Sequence, residues 1–287
     1  MSISASDVKK LRDLTGAGMM DCKSALEEAN GNFDEATTIL RKKGLASAAK
    51  KAGRDASDGL IGNWVSDDHS TGILVDVRCE TDFAAKTDDF QRLLKDVVAL
   101  IREAGDSATQ EWLTDPAGPV RTRVAETIGK VGENMLAARF VRYAGQGYVA
   151  QYIHPPGKVG VQVEFSGVTP DVAKNPAFVA VAREIALQIA AASPTYAARS
   201  EVPADVLEKE KSIYRAQMEN SNKPANVIDK IVEGKLGSYY EQVVLVDQPS
   251  IRDPKMKVSQ LLGDAAKSLG ATITVSRFAR LKVGETV

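Results

Sequence analysis

Apolar residues in the first 45 positions recur every three or four places, the spacing that keeps one face of a helix dry. Val8, Leu11 and Leu14 mark a first helix with Asp7 as its cap, and Thr15-Gly16-Ala17-Gly18 ends it. Cys22, Ala25, Leu26 and Ala29 mark a second helix over 19–29. Asn30-Gly31-Asn32 closes it and caps a third over 33–42, whose dry face is Phe33, Ala36, Ile39 and Leu40. So small a unit has a thin core and leans on a partner or on the rest of the chain. Further along, the period changes from helical to alternating. Ile73, Val75, Val77 and Cys79 alternate as in a half-buried strand, and Phe90, Leu93, Leu94, Val97, Val98 and Ile101 then return to helical spacing. Asp82 and Phe83 sit at that hand-over. An acid beside a large aromatic, mounted rigidly and left exposed, is suited to prying at another molecule. The plainer alternatives are a core phenylalanine filling a gap and an ordinary turn acid.

The pattern repeats 88 positions later. Gly59 falls on Gly147, Gly72 on Gly160, Val75 on Val163, Thr81 on Thr169, Phe90 on Phe178 and Ile101 on Ile189. Each copy reads as strand, turn, strand, helix. Strands at 59–66 and 72–79 pair across 67–71, strands at 148–154 and 159–166 pair across 155–158, and helices follow at 87–104 and 175–192. Asp82-Phe83 faces Pro170-Asp171 in the second copy. Packing of a shared fold therefore does not demand Asp-Phe at this turn, and a specialised loop on a shared scaffold is where function tends to sit.

Between the copies, 119–139 reads as helix and 139–143 as strand. Residues 203–241 read as a helical hairpin: Val206, Leu207, Ile213, Tyr214 and Met218 on one arm, and Val227, Ile228, Ile231, Val232, Leu236 and Tyr239 on the other. Ser221-Asn222-Lys223-Pro224 makes its turn. A helix at Val258, Leu261, Leu262 and Ala265 and a strand at Ile273 and Val275, with Phe278 beyond, complete an α+β architecture. The division expected is a three-helix module at 1–45, a basic linker at 46–58, one core subdomain at 59–145, and a second at 146–287 carrying the hairpin.

Composition excludes several functions. The chain has 287 residues, 44% hydrophobic and 26% charged, as in an ordinary globular protein. Its net charge of −1 gives no global basic field for nucleic acid. The most apolar stretch, 177–192, contains Arg183 and Glu184 and is too short to span a membrane. The first ten residues lack the apolar centre of a secretory signal. Two distant cysteines, Cys22 and Cys79, make no disulfide framework and fit a reducing cytoplasm. No phosphate-cradling or dinucleotide motif occurs, and His69 and His154 fall in turns away from either cysteine, so neither cofactor nor metal is expected. Asp67-Asp68 and Asp88-Asp89 suit solvation and helix capping better than catalysis. The chain reads as one that acts by binding, not as an enzyme. Arg41, Lys42, Lys43, Lys50, Lys51 and Arg54 form a basic cluster. It is a solvated linker or, as the rival reading, the contact of an RNA- or ribosome-associated scaffold using 41–54.

Two motifs resemble a known family. Leu11-Arg12-Asp13-Leu14-Thr15-Gly16-Ala17-Gly18-Met19-Met20-Asp21-Cys22-Lys23-Ser24-Ala25-Leu26 is similar to the first signature of bacterial elongation factor Ts, and Cys79-Glu80-Thr81-Asp82-Phe83-Ala84-Ala85-Lys86 to its second. Ile231-Val232-Glu233-Gly234-Lys235 and Gln248-Pro249 agree with it. The resemblance implies a guanine nucleotide exchange factor for elongation factor Tu, with a ubiquitin-associated-like N-terminal module and two core subdomains. It implies that Thr81, Asp82, Phe83 and Ala84 enter the partner's GTPase domain near its magnesium and phosphate site. Arg12, Met19 and Met20 would touch the same domain, and His154 another; in some members the helical hairpin forms a homodimer. Arg12 lies off the apolar face of its helix and is expected exposed, whereas one of Met19 and Met20 is expected buried. Arg78 and Ala84 depart from the asparagine and valine usual in the second signature, and the smaller Ala84 is expected to give the turn less support. Longer members continue beyond the last strand into a C-terminal helical module, and the resemblance does not extend to that contact.

Overall fold

The computed structural model describes residues 3–145, 147–218 and 224–285. Helix α1 (Ala5–Thr15) is capped by Ser4, whose Oγ accepts from Asp7 N and donates to Asp7 Oδ2 at 2.6 Å. The cap is thus Ser4 rather than Asp7, which sits at the third helical position and completes a reciprocal pair. Gly16, at φ 69, closes α1 in the left-handed region. α2 (Met19–Glu28) follows, and Asn32 caps α3 (Phe33–Lys51) by accepting from Asp34 N and Glu35 N. Val8, Leu11, Cys22, Ala25, Leu26 and Ala36 form the small core. Leu14 is not part of it: at 71% exposed it stands on the lip of a cleft between this module and the helix that packs on α3.

α3 runs nine residues past the expected end at 42. Its extension is rich in good helix formers, and Gly44 and Ala48 are buried there. Much of the expected basic linker is therefore helix, and only residues 52–57 connect it to the first strand.

Strands β1 (Asp58–Val65), β2 (Thr71–Cys79) and β3 (Met135–Ala144) form an antiparallel sheet in the order β1-β2-β3. Between β2 and β3 run α4 (Asp82–Ala85), α5 (Asp88–Ala104), α6 (Gln110–Thr114) and α7 (Pro119–Val131). The expected helix over 119–139 stops at Val131, because Gly132 takes φ 87 and the chain turns into β3 four residues before the expected strand start. A second antiparallel sheet, in the order β4-β5-β6, is built from β4 (Tyr148–His154), β5 (Val159–Ser166) and β6 (Thr274–Lys282). α8 (Pro170–Ala173), α9 (Pro176–Ala192), α10 (Ala204–Ala216), α11 (Ala225–Val243) and α12 (Val258–Leu269) lie between β5 and β6. α10 and α11 supply the expected hairpin arms; Ser221, Asn222 and Lys223 of its turn lie outside the described residues.

Each sheet buries one face under helices. Val75 and Val77 meet Phe90, Leu93, Val97 and Ile101 of α5, and Val161, Val163 and Phe165 meet Phe178, Ile185 and Ile189 of α9. The opposite faces join through Ile61, Leu74, Leu281 and Val283.

The 88-residue offset recurs in the contacts themselves. Ile61 N donates to Gly157 O at 2.8 Å, and Val149 N donates to His69 O at 2.7 Å. Residues 61 and 149 correspond, as do 69 and 157, so each hairpin tip docks on the first strand of the other copy. His69 and Gly157 both adopt positive φ to do so. Asn63 donates to Gln151, its own counterpart, at 3.2 Å. Both middle strands are bulged at matching places, beside the cross-strand pairs Asp76–Arg139 and Glu164–Arg277. Thr81 and Thr169 cap the short helices, and Thr87 and Asn175 cap the long ones.

Candidate functional site

The Asp82-Phe83 segment is a single helical turn, not an open loop. A four-residue helix cannot repay its own nucleation, so it must be held from outside. Thr81 Oγ1 accepts from Ala84 N at 3.2 Å as its cap. The Glu133 carboxylate takes both remaining Thr81 donors, the N–H at 3.0 Å and the hydroxyl at 2.7 Å. Thr81 O accepts from Ala85 N at 3.2 Å and from the Cys79 thiol at 3.1 Å. Burial, and after it the Glu133 charge, push that thiol up to about 12. At the other end, the Thr87 hydroxyl donates to Ala84 O at 2.7 Å, and Gln91 Nε2 donates to Ala85 O at 2.8 Å. Ala84 and Ala85 are buried in the sheet–helix core, so the small Ala84 still anchors the turn.

On this mount Phe83 is 76% exposed. It belongs to no apolar cluster, which removes the core-filler reading. Its only ring contact among the described residues is the Lys86 ammonium, 5.6 Å from the centroid. Asp82 pairs with Lys86 at 2.7 Å. That hydrogen bond, with the charges of Lys86 and Lys158, holds the Asp82 carboxyl below its usual range. Lys158 itself pairs with Asp58 at 2.7 Å. The end of the second hairpin therefore lies beside the Asp82-Phe83 turn, although the two are far apart in sequence.

His154 is exposed at the end of β4, with its Nδ1 2.9 Å from the Tyr152 hydroxyl. Arg12 is exposed as expected. Met19 and Met20 are both exposed, at 46% and 74%, so neither is the buried partner expected. The buried side of α2 begins only at Cys22, and Gly18 leads Met19 in along the rim. Residues 130–134 connect these places. Lys130 Nζ lies where a side chain on Gly16 would stand, Glu133 grips Thr81, and Asn134 N donates to Glu80 at 2.6 Å. Sequence reasoning missed Glu133 and Asn134. They carry no motif, and the one signal for them is the Gly132 break that turns α7 back toward Thr81. Arg78, the departure from the second signature, holds the buried Asp76 at 2.8 Å and also donates to Glu285 O at 2.8 Å.

Residues 80–285 match the family model described as elongation factor TS. The elongation factor Ts of Trichlorobacter lovleyi is 42% identical over 99% of this chain and 94% of its own length. That of Aquifex aeolicus is 40% identical over 99% of both, and that of Clostridium perfringens 41% identical over 99% of this chain and 94% of its own. The chain belongs to the elongation factor Ts family. It is a non-enzymatic guanine nucleotide exchange factor for elongation factor Tu, acting in translation elongation. These relatives align over 99% of this chain, so the assignment also covers residues 1–79, which the family model leaves out. Among the described residues no His, Cys, Asp and Glu group could hold a metal, and no helix is long and apolar enough to cross a membrane.

Proposed function

We propose that Phe83 is the tooth with which this factor loosens elongation factor Tu's hold on GDP. The observation that carries it is a largely exposed phenylalanine on a turn whose two ends are held by hydrogen bonds and whose two alanines are buried. In the complex, Thr81, Asp82, Phe83 and Ala84 would stand at the partner's phosphate and magnesium site. There the ring fills an apolar slot while Asp82 disturbs the charges that hold the metal. Seating the ring is worth roughly 1.5–3 kcal/mol, on the order of 10- to 100-fold in affinity. That is too little to drive exchange alone. Arg12, Met19 and Met20 would add contact to the GTPase domain, and His154 to another domain. The match of two exposed methionines with a family signature supports the first of these. Phe83→Ala should slow stimulated GDP release by about 10- to 100-fold and leave complex formation measurable. Fluorescent-GDP release under stopped flow reads the rate, and wild-type stimulation by the variant would rule the tooth out.

The finer organisation belongs to the same proposal. The first 45 residues, α1, α2 and the start of α3, would be a ubiquitin-associated-like module, residues 59–145 one subdomain, and 146–287 a second carrying 203–241 as an insertion. Matched contacts between the two sheets support that division. The hairpin exposes Ile213 and Val227, which would meet a second copy. Sedimentation should then show a dimer that Ile213→Asp disrupts; a monomer at every concentration would exclude it. Two free, buried cysteines suit work in the cytoplasm. The basic residues at 41–51, on which the scaffold reading would draw, are carried by α3 and not by a linker.

A further inference from the structure

We propose that Glu133 is a positioning residue for exchange: it sets the tooth's turn and links that turn to the N-terminal module. This rests on the tooth reading above. Three observations converge on the end of α7 and the turn that follows it, residues 125–134. First, Glu133 accepts two hydrogen bonds from one residue, the Thr81 N–H at 3.0 Å and the Thr81 hydroxyl at 2.7 Å. With its proton committed to Glu133, the hydroxyl oxygen can only accept from Ala84 N, which fixes the cap of α4. Hydrogen bonds to a carboxylate are roughly twice as strong as neutral ones, so this grip outweighs the cap bond it orients.

Second, Asn134 holds both sides of the same corner. Its N–H donates to Glu80 at 2.6 Å, and its side-chain amide donates to Arg54 O at 2.7 Å. Arg54 reaches back to Glu80 at 3.4 Å. Arg54, three residues past the end of α3, and Glu80, the residue before Thr81, are thereby tied to one asparagine. Third, α7, which ends in this turn, crosses α3 closely enough that two glycines meet. A side chain on Gly129 would lie 3.5 Å from the Gly44 Cα, and one on Gly44 would lie 3.4 Å from Ala125 O. Movement of the three-helix module against the core is therefore carried by α7 into Glu133 and on to Thr81. A module seated on the GTPase domain would press the ring home through this path.

The test is fluorescent-GDP release from elongation factor Tu across a concentration series of the full chain. It gives a maximal rate and a half-saturating concentration for each variant. Glu133→Ala should lower the maximal rate about tenfold, the size expected for a lost charged hydrogen bond, and move half-saturation less than about threefold. Thr81→Val, which keeps volume but loses the hydroxyl, should behave alike. Glu133→Gln, which keeps an acceptor, should recover part of the rate. In a Phe83→Ala background, adding Glu133→Ala should change the rate by less than about twofold, because both act through one ring. Wild-type maximal rates for Glu133→Ala and Thr81→Val would overturn the proposal, as would an undiminished effect of Glu133→Ala without the ring. If Glu133→Ala fails to fold, Thr81→Val decides from the other side of the contact. A wild-type rate for Phe83→Ala alone would instead bring down the tooth reading, a separate and distinguishable failure.

Discussion

Phe83 leaves apolar surface in water that an ordinary core residue would bury, and its neighbours explain how it stays there. Ala84 and Ala85 take the buried positions of the turn, and Lys86 spans from the Asp82 carboxylate to the ring face. The position of this pair was legible in the sequence, because alternation gave way to helical spacing on either side of it. Exposure was not legible, since a phenylalanine between a strand and a helix fits a core equally well. The methionines failed for a related reason. Met19 is in step with Cys22 and Leu26, yet it opens its helix at the rim, where spacing does not report depth. A different residue yields a pH prediction. Asp68 accepts from the Ser66 hydroxyl at 2.6 Å and from the Ser70 N–H and hydroxyl. These bonds lower its carboxyl from 3.8 to about 2. A lowered acid contributes stability above its unfolded value, and that contribution is lost as pH falls through the folded one. The tip bearing His69 should therefore hold above about pH 4 and loosen toward pH 2, read by NMR titration of Asp68 and exchange of the Val149 amide. An Asp68 titration near 3.8 would contradict it.

At the scale of elements, the repeat made both hairpins and both long helices legible, since two weak patterns that agree outweigh either alone. It also explains glycines that composition leaves mute. A side chain on Gly59 would stand 2.2 Å from Val77 O, and one on Gly147 would stand 2.9 Å from Phe165 O, the matching atom of the other copy. Gly59 also sits at φ 142, where side chains are strained. Gly59→Ala should destabilise the fold by about 1–3 kcal/mol or more. Gly53→Ala, with open space around it, should change little. Calorimetric melting compares the two, and equal melting temperatures would refute the close approach. Helix ends were read less well than helix cores. α3 outran its apolar stripe because α7 covers Gly44 and Ala48, a contact distant in sequence, and α7 fell short because Gly132 ended it early.

At the scale of the whole molecule, two sheets meet face to face and a small helical module is attached through α3 and α7. Reciprocal docking of the hairpin tips, and the run of Arg78 from Asp76 to Glu285 O, lock the second sheet to the first. None of these long-range bonds was legible, because nothing in local spacing says that residue 61 will meet 157. Such locking bears on the proposed role of Phe83. A frame that yielded would relax around the tooth, and the distortion would fall on the factor rather than on the GTPase. By linkage, whatever weakens GDP on elongation factor Tu is weakened by GDP to the same degree. The most direct measurement is therefore the affinity of elongation factor Tu for GDP, alone and saturated with this chain, for wild type and Phe83→Ala. The wild-type chain should weaken GDP binding strongly, and the variant should weaken it by a factor about 10- to 100-fold smaller. The same weakening by both chains would mean that the exposed ring plays no part in expelling the nucleotide.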